Sequence, residues 1–426
     1  MKRIFQIILV LIIGACLAIF ISPEIKQKVL ASIPLLAKYE IFKNNEAQYV
    51  RQIITKDSAT SRTIMWQSDI SEKDAAVEIR KKGSTDSSKV ISSEKEFVEN
   101  KVKMYIHAAV LNDLTPETEY EYRIVYDKKS SPWYSLVTAG EKDYKVLIFP
   151  DSQSSDYTDW KNLAQLAWKN NQDAKFFINM GDLVDNGEDN SQWRAWFNAV
   201  SNMEENIPVA PIMGNHETYN LEWKMRKPES YLNLFEVPSN GYPNLKNQFY
   251  SFDYGDVHYT VLNTQLTELK DFYPNLAASQ IEWVKKDLSS TNKKWKVVLM
   301  HKDVLRYPSN KHPEWTSGIS DMGEMFMPIF DENKVDLVLT AHYHTYRRRG
   351  NIKNFQRDLQ GPLYIITGVA GNVRYPNLWA NHTLDEYVAP QPETDNYLTM
   401  EILGNTLKVK SYLGNGKELD EVEITK

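Results

Sequence analysis

The chain has 426 residues, enough for about two to three domains. It is 42% hydrophobic, 25% charged and 12% aromatic, with a formal net charge of -6. That is the composition of a folded protein, and the acidic balance gives no global attraction to nucleic acid or to acidic lipid.

Residues 4–22, "IFQIILVLIIGACLAIFIS", form an apolar run of 19 residues behind Lys2 and Arg3. One helix needs about 20 apolar residues to cross a bilayer. Basic residues in front of such a run hold the N-terminus in the cytoplasm and export the remainder. The expectation is a transmembrane anchor over residues 1–22, single-pass in the cell membrane, with residues 23–45 as a juxtamembrane spacer. The alternative is a signal segment cleaved to release a secreted protein, but its apolar region is ordinarily shorter and no convincing A-x-A site precedes Pro23. Cys16 is the only cysteine, so the exported part contains no internal disulfide and must be stabilised by burial.

Residues 46–141 alternate in short runs between turn residues: "TIMWQS", "AAVEIRK", "KMYIHAAVL", "EYEYRIVYD". Runs of strand length at this spacing predict a small all-β sandwich, with Trp66 in its core. The stretch "LNDLTPETEYEYRI" resembles the tyrosine-corner segment of fibronectin type III domains, which places Tyr120 in the corner. No polar cluster in this domain suggests chemistry, and His107 reads as structural.

From residue 144 to 426 the pattern changes. "YKVLIF", "AKFFINM", "IPVAPIM", "KWKVVLM" and "VDLVLT" are buried strands separated by helical stretches at 157–170, 190–204, 277–289 and 320–333. Such alternation predicts an α/β layered domain. Trp160, Trp193 and Trp196 fall at helical spacing and read as packing. "QFYSFDYGDVHYTVLNT" predicts a hairpin, in which His258 reads as structural, and residues 397–424 a strand-rich tail.

Each of the five apolar strands delivers polar groups at its C-terminal end. Asp151 and Gln153 follow the first, Asp182 and Asp185 the second, Asn215, His216 and Glu217 the third. His301 follows the fourth, and His342 and His344 the fifth. The C-terminal strand edge is where α/β sheets bind ligands. "GD" or "GNH" alone is ordinary turn chemistry, but four of eight histidines at one topological position is not. Imidazole, carboxylate and amide together suit transition metals with mixed nitrogen and oxygen ligation. The donors are too many for one ion, and two ions sharing a carboxylate suit displacement at phosphorus.

This series, Asp151, "GD" at 181–182, "GNHE" at 214–217, His301 and "HYH" at 342–344, resembles the calcineurin-like metallophosphoesterase superfamily. With the fibronectin-like domain in front, it is similar to the purple acid phosphatase branch. The resemblance implies a calcineurin-like fold, a β-sandwich flanked by helices, holding two metal ions (Fe, Mn or Zn). It implies that Asp182 bridges the ions, that Asp151 and His344 complete one site, and that Asn215, His301 and His342 bind the other. It makes His216 the residue at the phosphate and leaving group, with Glu217 behind it as a second catalytic position. Two departures bear on the first metal. The branch carries a tyrosine where this chain has Asp185, and other branches carry a histidine where it has Gln153, so Asp185 and Gln153 are candidates to fill that shell. A smaller change puts Ala341 where the family usually has glycine.

The expected function is an exported, membrane-anchored phosphatase in which a hydroxide held between the metals attacks a phosphate monoester. Alternatives are a phosphodiesterase acting on nucleotides or envelope phosphodiesters, and an inactive binding protein on a phosphatase scaffold. His312, in a loop after His301, and Arg347, in the "RRR" run, are candidate substrate contacts.

Overall fold

A computed structural model describes residues 46–127, 129–140 and 143–426. The apolar run 4–22 and the spacer 23–45 lie outside the described residues. Among the described residues no helix is long and apolar enough to cross a membrane.

The N-terminal part is a two-sheet sandwich. Gln48–Ile53, Arg62–Ser68, Val102–Leu111 and Ser93–Glu99 form one layer, and a sheet built on Ala76–Lys81 and Glu119–Tyr126 forms the other. Its core holds Val50, Ile64, Trp66, Val77, Tyr122, Ile124 and Leu136. Tyr120 is buried, and its hydroxyl accepts a hydrogen bond from the Thr115 amide at 2.9 Å, which closes the corner. His107 stacks on Trp66 at 5.0 Å, and burial lowers its imidazole to about 4, so it stays neutral.

The part from residue 143 onward is built on two sheets. Tyr144–Phe149, Phe176–Asn179 and Val209–Pro211 run parallel in one sheet. Val257–Leu262, Trp295–Met300, Leu337–Thr340 and Leu363–Thr367 run parallel in the other. The five polar-tipped strands are therefore divided between two sheets. Period-two alternation shows how the sheets pack. Val297, Leu299, Leu337, Leu339, Leu363 and Ile365 join the main core together with Phe176 and Val209 of the other sheet. Val298, Met300, Val338, Tyr364 and Ile366 face the opposite way, against Val284, Phe326 and Phe330 of two covering helices.

Those helices are Leu276–Ser290 and Asp321–Glu332. Thr158–Asn170 and Asn190–Glu204 lie on the first sheet, where Trp160 packs edge-on to Phe149 and stacks on Trp196. Two of these helices are capped by side chains: Asp189 accepts from the Ser191 amide and Ser320 from the Gly323 amide.

The sandwich and the α/β part that follows it share a sheet. Ile53 of the sandwich pairs in parallel with Val209, so four sandwich strands and six of the following part form one ten-stranded sheet. Residues 46–426 make a single compact unit.

Candidate metal centre and the rings around it

The loops that leave the strand ends are held in costly backbone conformations. Asp182, His342 and His344 all have positive φ, at 48°, 72° and 53°. Each costs about 1–3 kcal/mol in a residue other than glycine and persists only where the surroundings enforce it. Gly181, at φ 100°, is required by contact as well, because a Cβ there would lie 2.5 Å from His301 Nδ1. A Cβ on Gly214 would collide with the Asp182 carboxylate.

These loops bring two groups of donors together. Ligand atoms of Asp182, His301 and His342 lie within 4.8 Å of one another, and so do those of Asp151, Asp182 and His344. Asp182 is common to both groups. His344 Nε2 is 2.9 Å from Asp151 Oδ2, and His301 Nε2 is 3.1 Å from Asp182 Oδ2. Asn215 Oδ1 lies 3.2 Å from His301 Nε2.

Backbone carbonyls fix the rings. His301 Nδ1 pairs with Met180 O at 2.9 Å and His344 Nδ1 with Val373 O at 2.6 Å. A carbonyl only accepts, so Nδ1 carries the hydrogen and Nε2 is left facing the carboxylates, the orientation second-shell partners give to metal-binding histidines. His342 donates its backbone N–H to the Asp151 carboxylate, while its buried Nδ1 has no hydrogen-bond partner. Burial opposes charge on His301, but Asp182 and Asp151 outweigh it and push the ring up to about 9. Burial raises the Asp182 carboxyl, yet His301 and His216 overcome it and hold the group below its usual range. Such a cluster favours positive charge. Its carboxylate, amide and imidazole donors, with one unpartnered buried ring nitrogen, fit two transition-metal ions.

His216 stands beside this cluster. Its backbone N–H donates to Asp182 Oδ1 at 2.8 Å, and its Nδ1 pairs with Asp185 O at 2.7 Å. Nε2 lies 4.0 Å from Asp182 Oδ2, and the side chain is 15% exposed.

The other expected residues fall in different places. Glu217 does not face the reacting side. It is buried, and its carboxylate accepts from the amides of Asp182, Leu183, Val184 and Gly214 at 2.7–3.3 Å. It ties two loops together and acts as a positioning residue. Burial and then Asp182 push its carboxyl up, while the Gly214 and Val184 amides pull it back. Asp185 belongs to neither donor group, and its carboxylate is 3.7 Å from His216 Nδ1. Gln153 is buried with both amide atoms unpartnered, so it keeps free donor capacity.

His312 is exposed and stacks on Trp315 at 4.4 Å, outside both donor groups. Arg347, expected at the substrate, is 1% exposed and is bonded to Asp385 at 2.8 Å and to the carbonyls of Trp379 and Ala380, so its guanidinium anchors the loop at 379–385 and does not face solvent. The other two arginines of the run are paired as well. Arg349 pairs with Asp303 at 2.6 Å and Arg348 with Asp420 at 2.9 Å.

Sequence reasoning missed the rings around the centre. Tyr219 and Trp223 stand edge-on to His216, and Tyr375 lies 4.9 Å from His344. Tyr343 joins His342 to Trp379. The only signal was apolar residues within the charged stretch "NLEWKMRK" soon after "GNHE".

Layered sheets with a shared-carboxylate donor cluster at the strand ends define a metallophosphoesterase type of fold. Residues 144–346 match the family described as Calcineurin-like phosphoesterase, and residues 47–138 match Purple acid Phosphatase, N-terminal domain. The chain carries a calcineurin-like phosphoesterase domain behind a purple acid phosphatase N-terminal domain. It is similar to Purple acid phosphatase 23 of Arabidopsis thaliana, at 30% identity over 43% of this chain and 38% of that one. It is also similar to Acid phosphatase type 7 of Mus musculus, at 25% identity over 76% and 78% of the two chains. In structure it resembles a purple acid phosphatase from yellow lupin (Lupinus luteus) seeds, with a TM-score of 0.75 and 18% identity over 90% of this chain and 75% of that one. Three Arabidopsis thaliana purple acid phosphatases are matched over 36%, 38% and 59% of their own lengths.

Proposed function

We propose that the chain is an exported, metal-dependent phosphoesterase that hydrolyses phosphate monoesters. The observation that carries this reading is the pair of donor groups sharing Asp182, with His216 at their edge. Asp151, Asp182 and His344 would hold one ion, with Gln153 free to complete its shell. Asp182, Asn215, His301 and His342 would hold the other. Bound there, two ions supply Lewis-acid polarisation of a phosphoryl group and acidify water enough for it to attack.

The chain's own residues supply the rest. The Asp185 carbonyl fixes the hydrogen on His216 Nδ1, so proton exchange with a leaving oxygen runs through Nε2. Glu217 keeps the Asp182 and Asn215 loops in register through four amide hydrogen bonds. The test is metal analysis of the purified protein together with hydrolysis of mono- and diesters. Asp182→Ala or His342→Ala should lower both metal content and turnover, the latter by orders of magnitude. Full activity in either variant overturns the assignment, and a faster rate on diesters would make the protein a phosphodiesterase.

We further propose that the domain is held outside the cell membrane by residues 4–22. Support comes from the length of that apolar run and from Lys2 and Arg3 before it. The intact protein should sediment with membranes, and protease added to intact cells should degrade the domain. Protection, or a mature N-terminus near residue 23, defeats the anchor.

A further inference from the structure

We propose that Trp223 is a specificity-determining residue, whose exposed indole forms the wall against which an aromatic leaving group stacks. The substrate class is then the aryl ester of phosphate. The inference rests on the phosphoesterase reading, which puts the departing oxygen at His216 Nε2.

A group leaving through that nitrogen must emerge beside the rings that surround His216. Two do: Tyr219 at 5.8 Å and Trp223 at 5.9 Å, both nearly perpendicular to the imidazole. Tyr219 is partly covered, whereas Trp223 is 56% exposed. A large apolar side chain left in water beside a reaction centre has surface available for a ligand.

The exposure is not slack in a loose loop. Trp223 has φ 60°, a left-handed conformation that a bulky residue rarely adopts. The loop that imposes it is closely bonded. Trp223 N donates to Asn220 O, and the Asn220 side chain accepts from the amides of Glu222 and Lys224. Asn186 Nδ2 donates to Asn220 O, and the Leu221 amide donates to Glu188. Tyr219 and Met225 bridge at the base, and Arg226 forks onto Glu99 with two bonds of 3.0 Å. The backbone that carries the indole is thus held in a fixed place.

The chemistry on offer is a ring face. Lys224, the cation next to it, is paired with Glu222 at 2.6 Å. What a leaving group meets there is the face of the exposed indole, which a neutral planar ring covers. With the two ring centroids 5.9 Å apart, the indole is within reach of a ring carried directly on the departing oxygen.

The experiment is calorimetric titration of the metal-loaded full chain, in detergent, with phenylphosphonate and propylphosphonate. Both have C–P bonds and are not hydrolysed. The native protein should bind phenylphosphonate about tenfold more tightly, the scale of one aromatic contact. Trp223→Ala should bring the ratio close to one, and Trp223→Phe should keep most of it. In turnover, KM for phenyl phosphate should rise relative to KM for glycerol phosphate. Binding of both phosphonates with equal affinity by the native protein, or an unchanged ratio in Trp223→Ala, overturns this inference alone. If neither phosphonate binds and no ester is hydrolysed, the phosphoesterase reading falls and takes the inference with it.

Discussion

His216 and Asp182 touch each other, yet their loss should do different things. Asp182 is common to both donor groups, so its removal opens the site. His216 holds Asp182 through its backbone amide, which survives in His216→Ala. That variant should therefore keep both metals, as measured by elemental analysis, and lose turnover. The loss should be about a hundredfold to ten-thousandfold for alkyl phosphates, whose leaving oxygen needs a proton, and smaller for nitrophenyl phosphate. An equal loss for both would make His216 a phosphate-binding residue, and a missing metal would make it a ligand. The donors were legible in the sequence because four of the eight histidines, with aspartates and an asparagine, recur at the same place after successive apolar runs. Arg347 was not. Three consecutive arginines offered Arg347 as a substrate contact, and their pairing is decided by Asp385, Asp303 and Asp420, which no local pattern connects to them.

At the scale of elements, the helices were readable from their 3.6-residue periodicity to within about a residue or two. What positions them came from the fold. His258, on Val257–Leu262, sits between Asp253 of the paired strand at 2.7 Å and Asp287 of helix Leu276–Ser290 at 2.9 Å. Burial lowers the ring, but both carboxylates outweigh it and raise it to about 9 from 6.5. A raised folded value means that the proton is held more tightly in the folded state. The stabilisation is complete below about pH 6.5 and is lost as pH rises through 9, on the order of 3 kcal/mol in all. The stability difference between the native protein and His258→Gln, from denaturant unfolding, should therefore shrink between pH 6.5 and 9.5. A difference that stays flat over that window would mean that the helix is held to the hairpin by packing alone.

For the whole molecule, the decisive contact is between Ile53 and Val209, more than a hundred residues apart, and nothing in the composition of either strand announces it. Both are buried runs that would suit any sheet interior. The pairing turns two apparent domains into one structure, and more than backbone joins them. Arg51, fully buried, donates twice to Leu234 O, and the Tyr122 hydroxyl donates to Glu205 O. Ile53, Ile54, Met65, Phe97, Met104 and Ile106 of the sandwich lie in the same core cluster as Phe177, Val209 and Phe235. Six such side chains contribute about 2 kcal/mol each, roughly 12 kcal/mol together, as much as the net stability of a typical domain. A loss on that scale, with the edge of Val209–Pro211 laid open, is more than a marginally stable fold can absorb. A chain beginning at Asp143, with every donor of the metal centre intact, should fail to unfold cooperatively and should expose apolar surface to a hydrophobic dye. A sharp thermal transition and bound metal in that truncated chain would show that the sandwich is an appendage and that the shared sheet contributes little.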